Sequence, residues 1–280
     1  MEKIETIGAM QQLARKWLLE GHTIAVVPTM GALHQGHLSL IDLARQHADK
    51  VVATIFVNPT QFGPNEDFDG YPRNSEADEL QLQAHLTDAL FMPTSKEMYP
   101  DGFETRVELT RLPLHLCGMR REGHFVGVTT VVLKLFNAVQ PQLAVFGEKD
   151  YQQLMIVRKM VRDLNLPVEI IAGPTVRAED GLAMSSRNRY LDIHERKAAI
   201  SIYQALVRAR QLVNSGTVDT IILRQAMTEI IEQAGANVDY VAVIHPESLE
   251  ELNVVGAKAH AAIAAFVGRT RLIDNIRLKD

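Results

Sequence analysis

The feature that most constrains the fold is an alternation running from residue 24 to about residue 172. Ile24-Ala25-Val26-Val27 stops at Pro28, and Leu38, Ile41, Ala44 and Ala48 follow at helical spacing. Residues 51–57 form a second apolar run that stops at Asn58-Pro59. Residues 76–86 read as a helix that delivers the chain to Ala89-Leu90-Phe91-Met92. Helix is then expected over 125–139, strand over 143–146, helix over 151–164 and strand over 168–172. Apolar runs this continuous have no polar face, so the strands need cover on both sides, which a parallel sheet flanked by helices provides. In that architecture ligands bind beyond the carboxyl ends of the strands.

The pattern changes after about residue 176. A polar stretch, 177–188, leads to helical segments at 194–214 and 218–234. Extended stretches follow at 238–244 and 261–267, with 269–276 a possible third. Helices followed by strands predict a small α+β domain. The expected division is 1–176 and 177–280, within the one or two domains that 280 residues accommodate.

Composition removes whole classes of function. Lys and Arg number 29 against 34 Asp and Glu, a net charge of −5, so no basic surplus suits the chain to nucleic acid or an anionic membrane. No apolar run approaches the ~20 residues that cross a bilayer. Met1-Glu2-Lys3-Ile4-Glu5 lacks the basic and apolar regions of a signal peptide. The one cysteine, Cys117, excludes an internal disulfide and a Cys-rich zinc site and suits a reducing compartment. The expected location is therefore the cytoplasm, with Cys117 as core filling.

Chemistry-bearing residues cluster where expected strands give way to helices. In Met30-Gly31-Ala32-Leu33-His34-Gln35-Gly36-His37, Gly36 leaves room for a nucleotide and the helix start aims unpaired N–H groups at an anion. His34 and His37, three apart, share one side of the first turn and could stabilise charge on an α-phosphate. A zinc site is the competing use of such a pair, although no third-ligand motif follows. In Gly147-Glu148-Lys149-Asp150, Lys149 offers a compact cation and Asp150 a cap or a ribose acceptor, with Gln153 on the next turn. Met184-Ser185-Ser186-Arg187 sets hydroxyls beside a guanidinium, suited to wrapping phosphates. Asn58 and Gln61 are amides able to read a small polar substrate. Asp78 and Gln81 could share a magnesium ion, and Arg120-Arg121 could face phosphate. Each segment alone is equally consistent with a cap, a turn or a solvated surface.

Taken together these stretches, with Tyr71-Pro72-Arg73 and Arg271-Leu272-Ile273-Asp274-Asn275, make the chain similar to the pantoate–β-alanine ligase family of the HxGH nucleotidyltransferases over essentially its whole length. The resemblance implies a Rossmann-like doubly wound sheet with a smaller C-terminal domain covering the site, and an ATP-dependent ligation. Pantoate would be adenylated with loss of pyrophosphate, and β-alanine would displace AMP to give pantothenate. It implies nucleotide contacts from Met30, Gly31, Ala32, Leu33, His34, Gln35, Gly36, His37, Gly147, Glu148, Lys149, Asp150, Val176, Met184, Ser185, Ser186 and Arg187. His37 would be the proton donor, with His34, Lys149, Ser185, Ser186 and Arg187 acting on the phosphates. Gln61 and Gln153 would hold pantoate, Gln61 also lying near β-alanine, and Asn58 would support them. ATP would lie at the domain junction near residue 176. Mg2+ and a homodimer are further implications. Some members carry consecutive acidic residues where this chain has Ala77-Asp78, which leaves ATP as the main carrier of magnesium. Residues 63–71 would form a mobile cover over the adenylate.

Two other readings stand beside this one. A nucleotidyltransferase acting on a phosphate-bearing substrate would place cations where Gln61 and Gln153 stand. A non-catalytic nucleotide-binding protein would dispense with His37, Lys149 or Arg187, and all three are present.

Overall fold

The computed structural model describes residues 1–64 and 66–279, and the chain divides into two compact units. The first comprises Met1–Thr110, Arg121–Glu148 and Gln153–Pro174; the second comprises Arg111–Arg120, Lys149–Gln152 and Thr175–Asp280.

The first unit is built on β1 (Glu2–Ile4), α1 (Ile7–Leu19), β2 (Ile24–Thr29), α2 (Gln35–His47), β3 (Lys50–Ile55), α3 (Ser75–Ala84), β4 (Ala89–Phe91), α4 (Ser95–Met98), α5 (His124–Val139), β5 (Leu143–Gly147), α6 (Tyr151–Asp163, from Gln153 onward) and β6 (Glu169–Gly173). Its six strands run in the order β1-β4-β3-β2-β5-β6, and every pairing is parallel. From β2 the chain winds outward through β3 and β4, then returns to the other side of β2 as β5. The topological reversal therefore lies between the carboxyl ends of β2 and β5, where a ligand crevice forms in such sheets. Ile24, Ala25, Val26 and Val27 in β2 and Val51, Val52 and Ala53 in β3 are all fully buried. This is the outcome that continuous apolar strands dictate.

Three elements of this unit escaped the alternation argument, among them α4, a single four-residue turn. β1 is a three-residue edge strand beside β4, too short to show a period. α1 buries Met10, Ala14 and Trp17 at helical spacing, and the Thr6 side chain accepts the Ala9 N–H to start it. α5 is apolar nearly all round, with buried residues from Phe125 to Val139, so it packs as an interior helix.

The second unit contains α7 (Ile193–Asn214), α8 (Thr220–Gln233), and the antiparallel sheet β7 (Asn237–Ile244), β8 (His260–Val267) and β9 (Thr270–Arg277). Asp192 and Glu195 close a reciprocal cap on α7. Ile202, Leu206, Leu223, Met227 and Ile263 form part of its core. The α+β expectation holds, and the possible third strand is real. No helix among the described residues is long and apolar enough to cross a membrane.

Candidate active site

In the first unit the site starts at the carboxyl end of β2. The Thr29 hydroxyl donates to the Thr54 carbonyl at 2.7 Å and accepts the Gly31 N–H at 3.2 Å. Gly31 and Ala32 then take φ values of +83° and +51°, a left-handed turn that costs any residue with a Cβ. The turn directs the N–H groups of Ala32 and Leu33 to the two carboxylate oxygens of Asp78, each at 2.8 Å. Asp78 is 2% exposed, and these charge-assisted bonds satisfy a carboxylate that has left water. A Cβ on Gly31 would lie 3.1 Å from Asp78 Oδ2, so glycine allows the close approach. Gln81 donates to the Ala77 carbonyl within α3 at 3.3 Å.

His34 is the N-cap of α2, its Nδ1 accepting the Gly36 N–H at 3.1 Å. The His37 N–H donates to the His34 carbonyl at 2.8 Å. This corrects the expectation of unpaired N–H groups at the helix start, because the motif's own histidine caps the amide of Gly36. The turn offers two imidazoles instead, stacked with centroids 4.0 Å apart. Among the described residues no three His, Cys, Asp or Glu side chains are grouped to hold a metal, and a zinc reading of the pair has no third ligand.

The segment after β3 is anchored to α5. Gly127 allows the contact, since a Cβ there would fall 2.4 Å from the Thr60 carbonyl oxygen. Asn58, 1% exposed, donates to the Gly127 carbonyl at 3.1 Å and to Gln61 Oε1 at 3.2 Å. Its own oxygen accepts from the Thr60 hydroxyl and the Tyr99 hydroxyl, both at 2.9 Å. Burial pushes the Tyr99 phenol up, so it stays a donor across the physiological range. Asn58 is thus an organiser of Gln61, and the Gln61 amide nitrogen lies 3.1 Å from Met30 Sδ.

Arg121, which the sequence offered as a cation able to face phosphate, is engaged with a carboxylate in this structure. It binds Glu66 through two hydrogen bonds of 2.5 and 2.6 Å, and both Arg121 and His124 reach the Gln61 carbonyl. Burial raises the Glu66 carboxyl, but Arg121, the Gly63 backbone and His124 together hold the group below its ordinary value. Phe62 meets Phe68 and Tyr71 edge-on. Residue 65 of the expected cover, 63–71, lies outside the described residues.

In the second unit, Val176 and Met184 meet through a 2.9 Å bond from the Met184 N–H to the Val176 carbonyl. Ser185 caps the short turn Ser186–Tyr190 by accepting the Arg187 N–H at 3.3 Å, which holds Met184, Ser185, Ser186 and Arg187 in one tight bend. Lys149 lies in a 3₁₀ turn, Glu148–Asp150, its Nζ 4.0 Å from the Asp150 carboxylate. In the first unit, Gly147 ends β5, and Gln153 lies in the first turn of α6.

Cys117 is buried, yet its surroundings are polar. Its Sγ lies 3.3 Å from the Tyr240 hydroxyl and 3.6 Å from Arg271, which pairs with Asp239 at 2.7 Å. Core filling is therefore corrected to membership of a polar cluster; sequence spacing gave no means of joining residues 117, 239, 240 and 271. Arg120 likewise pairs with Asp239, at 3.5 Å. Gln152, to which the sequence assigned no role, accepts the Cys117 N–H and donates to the Leu112 and His115 carbonyls.

The chain matches the pantoate–β-alanine ligase family over residues 2–277. It belongs to that family. The pantothenate synthetase of Moorella thermoacetica is 49% identical over 280 residues, with 100% of this chain and 99% of the relative covered. That of Thermosipho africanus is 48% identical over 276 residues, with 99% of each covered. Among solved structures, the pantothenate synthetase of Thermus thermophilus superposes with a TM-score of 0.95 at 45% identity over 100% of both chains. The Francisella tularensis pantoate–β-alanine ligase, complexed with β,γ-ATP and β-alanine, gives 0.84 at 36% identity over 99% of this chain and 98% of that one.

Proposed function

We propose that this member of the family joins pantoate to β-alanine at the expense of ATP, giving pantothenate, AMP and pyrophosphate. A carboxylate resists attack by an amine, and adenylation supplies the leaving group it lacks. One pantoate oxygen attacks the α-phosphate and pyrophosphate departs. The β-alanine amine then adds to the acyl carbon, and the bond to the AMP oxygen breaks.

The observation that carries the reading is the imidazole pair at the crevice end of β2, on a turn fixed by Asp78. His37 acts as proton donor and His34 as its neighbour on the phosphates, both stabilising charge where it develops. Met30, Gly31, Ala32, Leu33, Gln35 and Gly36 form the nucleotide-facing turn, together with Gly147, Glu148 and Asp150. Lys149, Ser185, Ser186 and Arg187 neutralise the triphosphate, and Val176 and Met184 contact the adenosine. Gln61 and Gln153 bind pantoate, with Asn58 holding Gln61. Arg121, the cation beside Gln61, is bidentate with Glu66, which favours a carboxylate-and-hydroxyl substrate over a phosphate-bearing one.

Magnesium enters as part of the substrate MgATP. Both oxygens of Asp78 accept backbone N–H groups, so the donor set of Asp78 and Gln81 fits a structural carboxylate better than a metal cage. The 63–71 segment is the cover that keeps water from the adenylate. A cytoplasmic location fits the free thiol of Cys117. A homodimer is the expected assembly, and sedimentation at working concentration tests it.

Product release with each substrate omitted in turn tests the function. Pyrophosphate release should require pantoate, and AMP release at full turnover should require β-alanine as well. Pyrophosphate formed equally fast with no carboxylic acid present would contradict the proposal.

A further inference from the structure

The Arg271-Leu272-Ile273-Asp274-Asn275 stretch of β9 has no part in the chemistry above, yet two of its residues are buried polar groups, Asp274 at 4% and Asn275 at 8% exposure. Consecutive residues of a strand address opposite faces. On one face Asp274 grips Arg177 with bonds of 2.5 and 2.9 Å, and Arg177 also donates to the Gly181 carbonyl at 3.1 Å. The Arg177 guanidinium lies 3.9 Å over the Tyr203 ring. Arg177 stands between Val176 and the loop whose return strand carries Met184 to Arg187, and it is bridged to Ala183. On the other face Asn275 Nδ2 donates to the Lys149 carbonyl at 2.9 Å, while its Oδ1 accepts from His260 Nε2 at 2.8 Å. His260 stacks on Tyr151, centroids 3.9 Å apart, and the Tyr151 hydroxyl donates to the Pro246 carbonyl at 3.1 Å. The chain is therefore held on both sides of Asp150, at Lys149 through its carbonyl and at Tyr151 through its side chain.

Buried amides and carboxylates are costly unless every bond is made. Here the bonds end on the main chain of Lys149 and on the arginine that shapes the Val176–Arg187 loop. We propose that Asp274 and Asn275 are positioning residues for the triphosphate, Asn275 setting the backbone of Lys149 and Asp274, through Arg177, setting the Ser185–Arg187 turn. This rests on the assignment of Lys149 and Arg187 to the phosphates made above. In this assignment both act through the protein, by way of Arg177 and the Lys149 carbonyl, and not as nucleotide ligands.

Asn275→Asp is nearly isosteric and keeps the acceptor for His260, but sets an oxygen against the Lys149 carbonyl. A misplacement on the scale of 1 Å costs up to about a hundredfold. The expected result is a KM for ATP raised about tenfold or more, with the KM for pantoate within about twofold. In the Lys149→Ala background the same change should add less than about threefold, because the group it positions is gone. Asp274→Asn should show the matching pattern with Arg187→Ala, and Asn275→Ser replaces Asn275→Asp where the latter fails to fold. An unchanged KM for ATP in Asn275→Asp, or losses that multiply in the double variant, would overturn the proposal. Lys149→Ala at wild-type turnover would overturn the assignment of Lys149 itself, a separate failure that this set distinguishes.

Discussion

The imidazole rings of His34 and His37 stack with their planes inclined by 26°. Because His34 Nδ1 accepts the Gly36 N–H, neutral His34 carries its proton on Nε2. One helical turn thus presents a histidine of defined tautomer beside a second one. His37→Ala is expected to lower kcat by about two to four orders of magnitude, followed by pyrophosphate release. A rate within about threefold of wild type would remove His37 from the chemistry.

Asp78 offers a sharper test of where magnesium is held. Asp78→Asn keeps one acceptor for the Ala32 and Leu33 amides and loses the other. Amide exchange at Ala32 and Leu33 should accelerate and ATP affinity should fall about tenfold, in line with one lost charge-assisted bond. The magnesium concentration giving half-maximal rate, with ATP saturating, should stay put. A large shift in that midpoint with unaltered amide exchange would make Asp78 a metal ligand.

The Asn58–Gln61 pair predicts a defect confined to one substrate. Gln61→Ala should raise the KM for pantoate with ATP affinity little changed, and Asn58→Ala should reproduce part of that defect by freeing the Gln61 side chain. Weakened ATP binding with normal pantoate affinity would contradict the assignment.

Stability should carry a signature of His260. Burial, aided by the charge of Arg277 and opposed by the Asn275 hydrogen bond, lowers its pKa from 6.5 to about 4. Between those values the unfolded chain binds a proton that the folded chain refuses, so stability falls as pH drops from about 6.5 and levels off near 4. Denaturant unfolding should show wild type losing about 3 kcal/mol more than His260→Asn across that window. Parallel curves for the two proteins would show that His260 titrates normally.

Much of this architecture was legible because strong signals coincided. β2, β3, β5 and β6 announce themselves through apolar runs bounded by Pro, Asn or Gly, although β2 continues through Pro28 to Thr29, and their alternation with helices implies parallel pairing. The His34–His37 turn was legible for the same reason, as its spacing falls at the end of a strand. β1 was not, since three residues cannot display a period. The partners of Asp78, Arg121 and Cys117 were also hidden. Each partner lies tens of residues or more away, and only tertiary contact decides whether a charged side chain meets a ligand, a backbone amide or another charge. Asn58 shows the limit: the amide looked like a substrate reader, and its whole hydrogen-bonding capacity goes to holding its neighbours.

The central claim, that the carboxylate is activated as an acyl adenylate, is tested most directly with pantoate labelled with ¹⁸O at both carboxylate oxygens. Turnover with ATP and β-alanine should give AMP carrying one ¹⁸O atom and pantothenate retaining the other. Unlabelled AMP, or ADP as the nucleotide product, would contradict it.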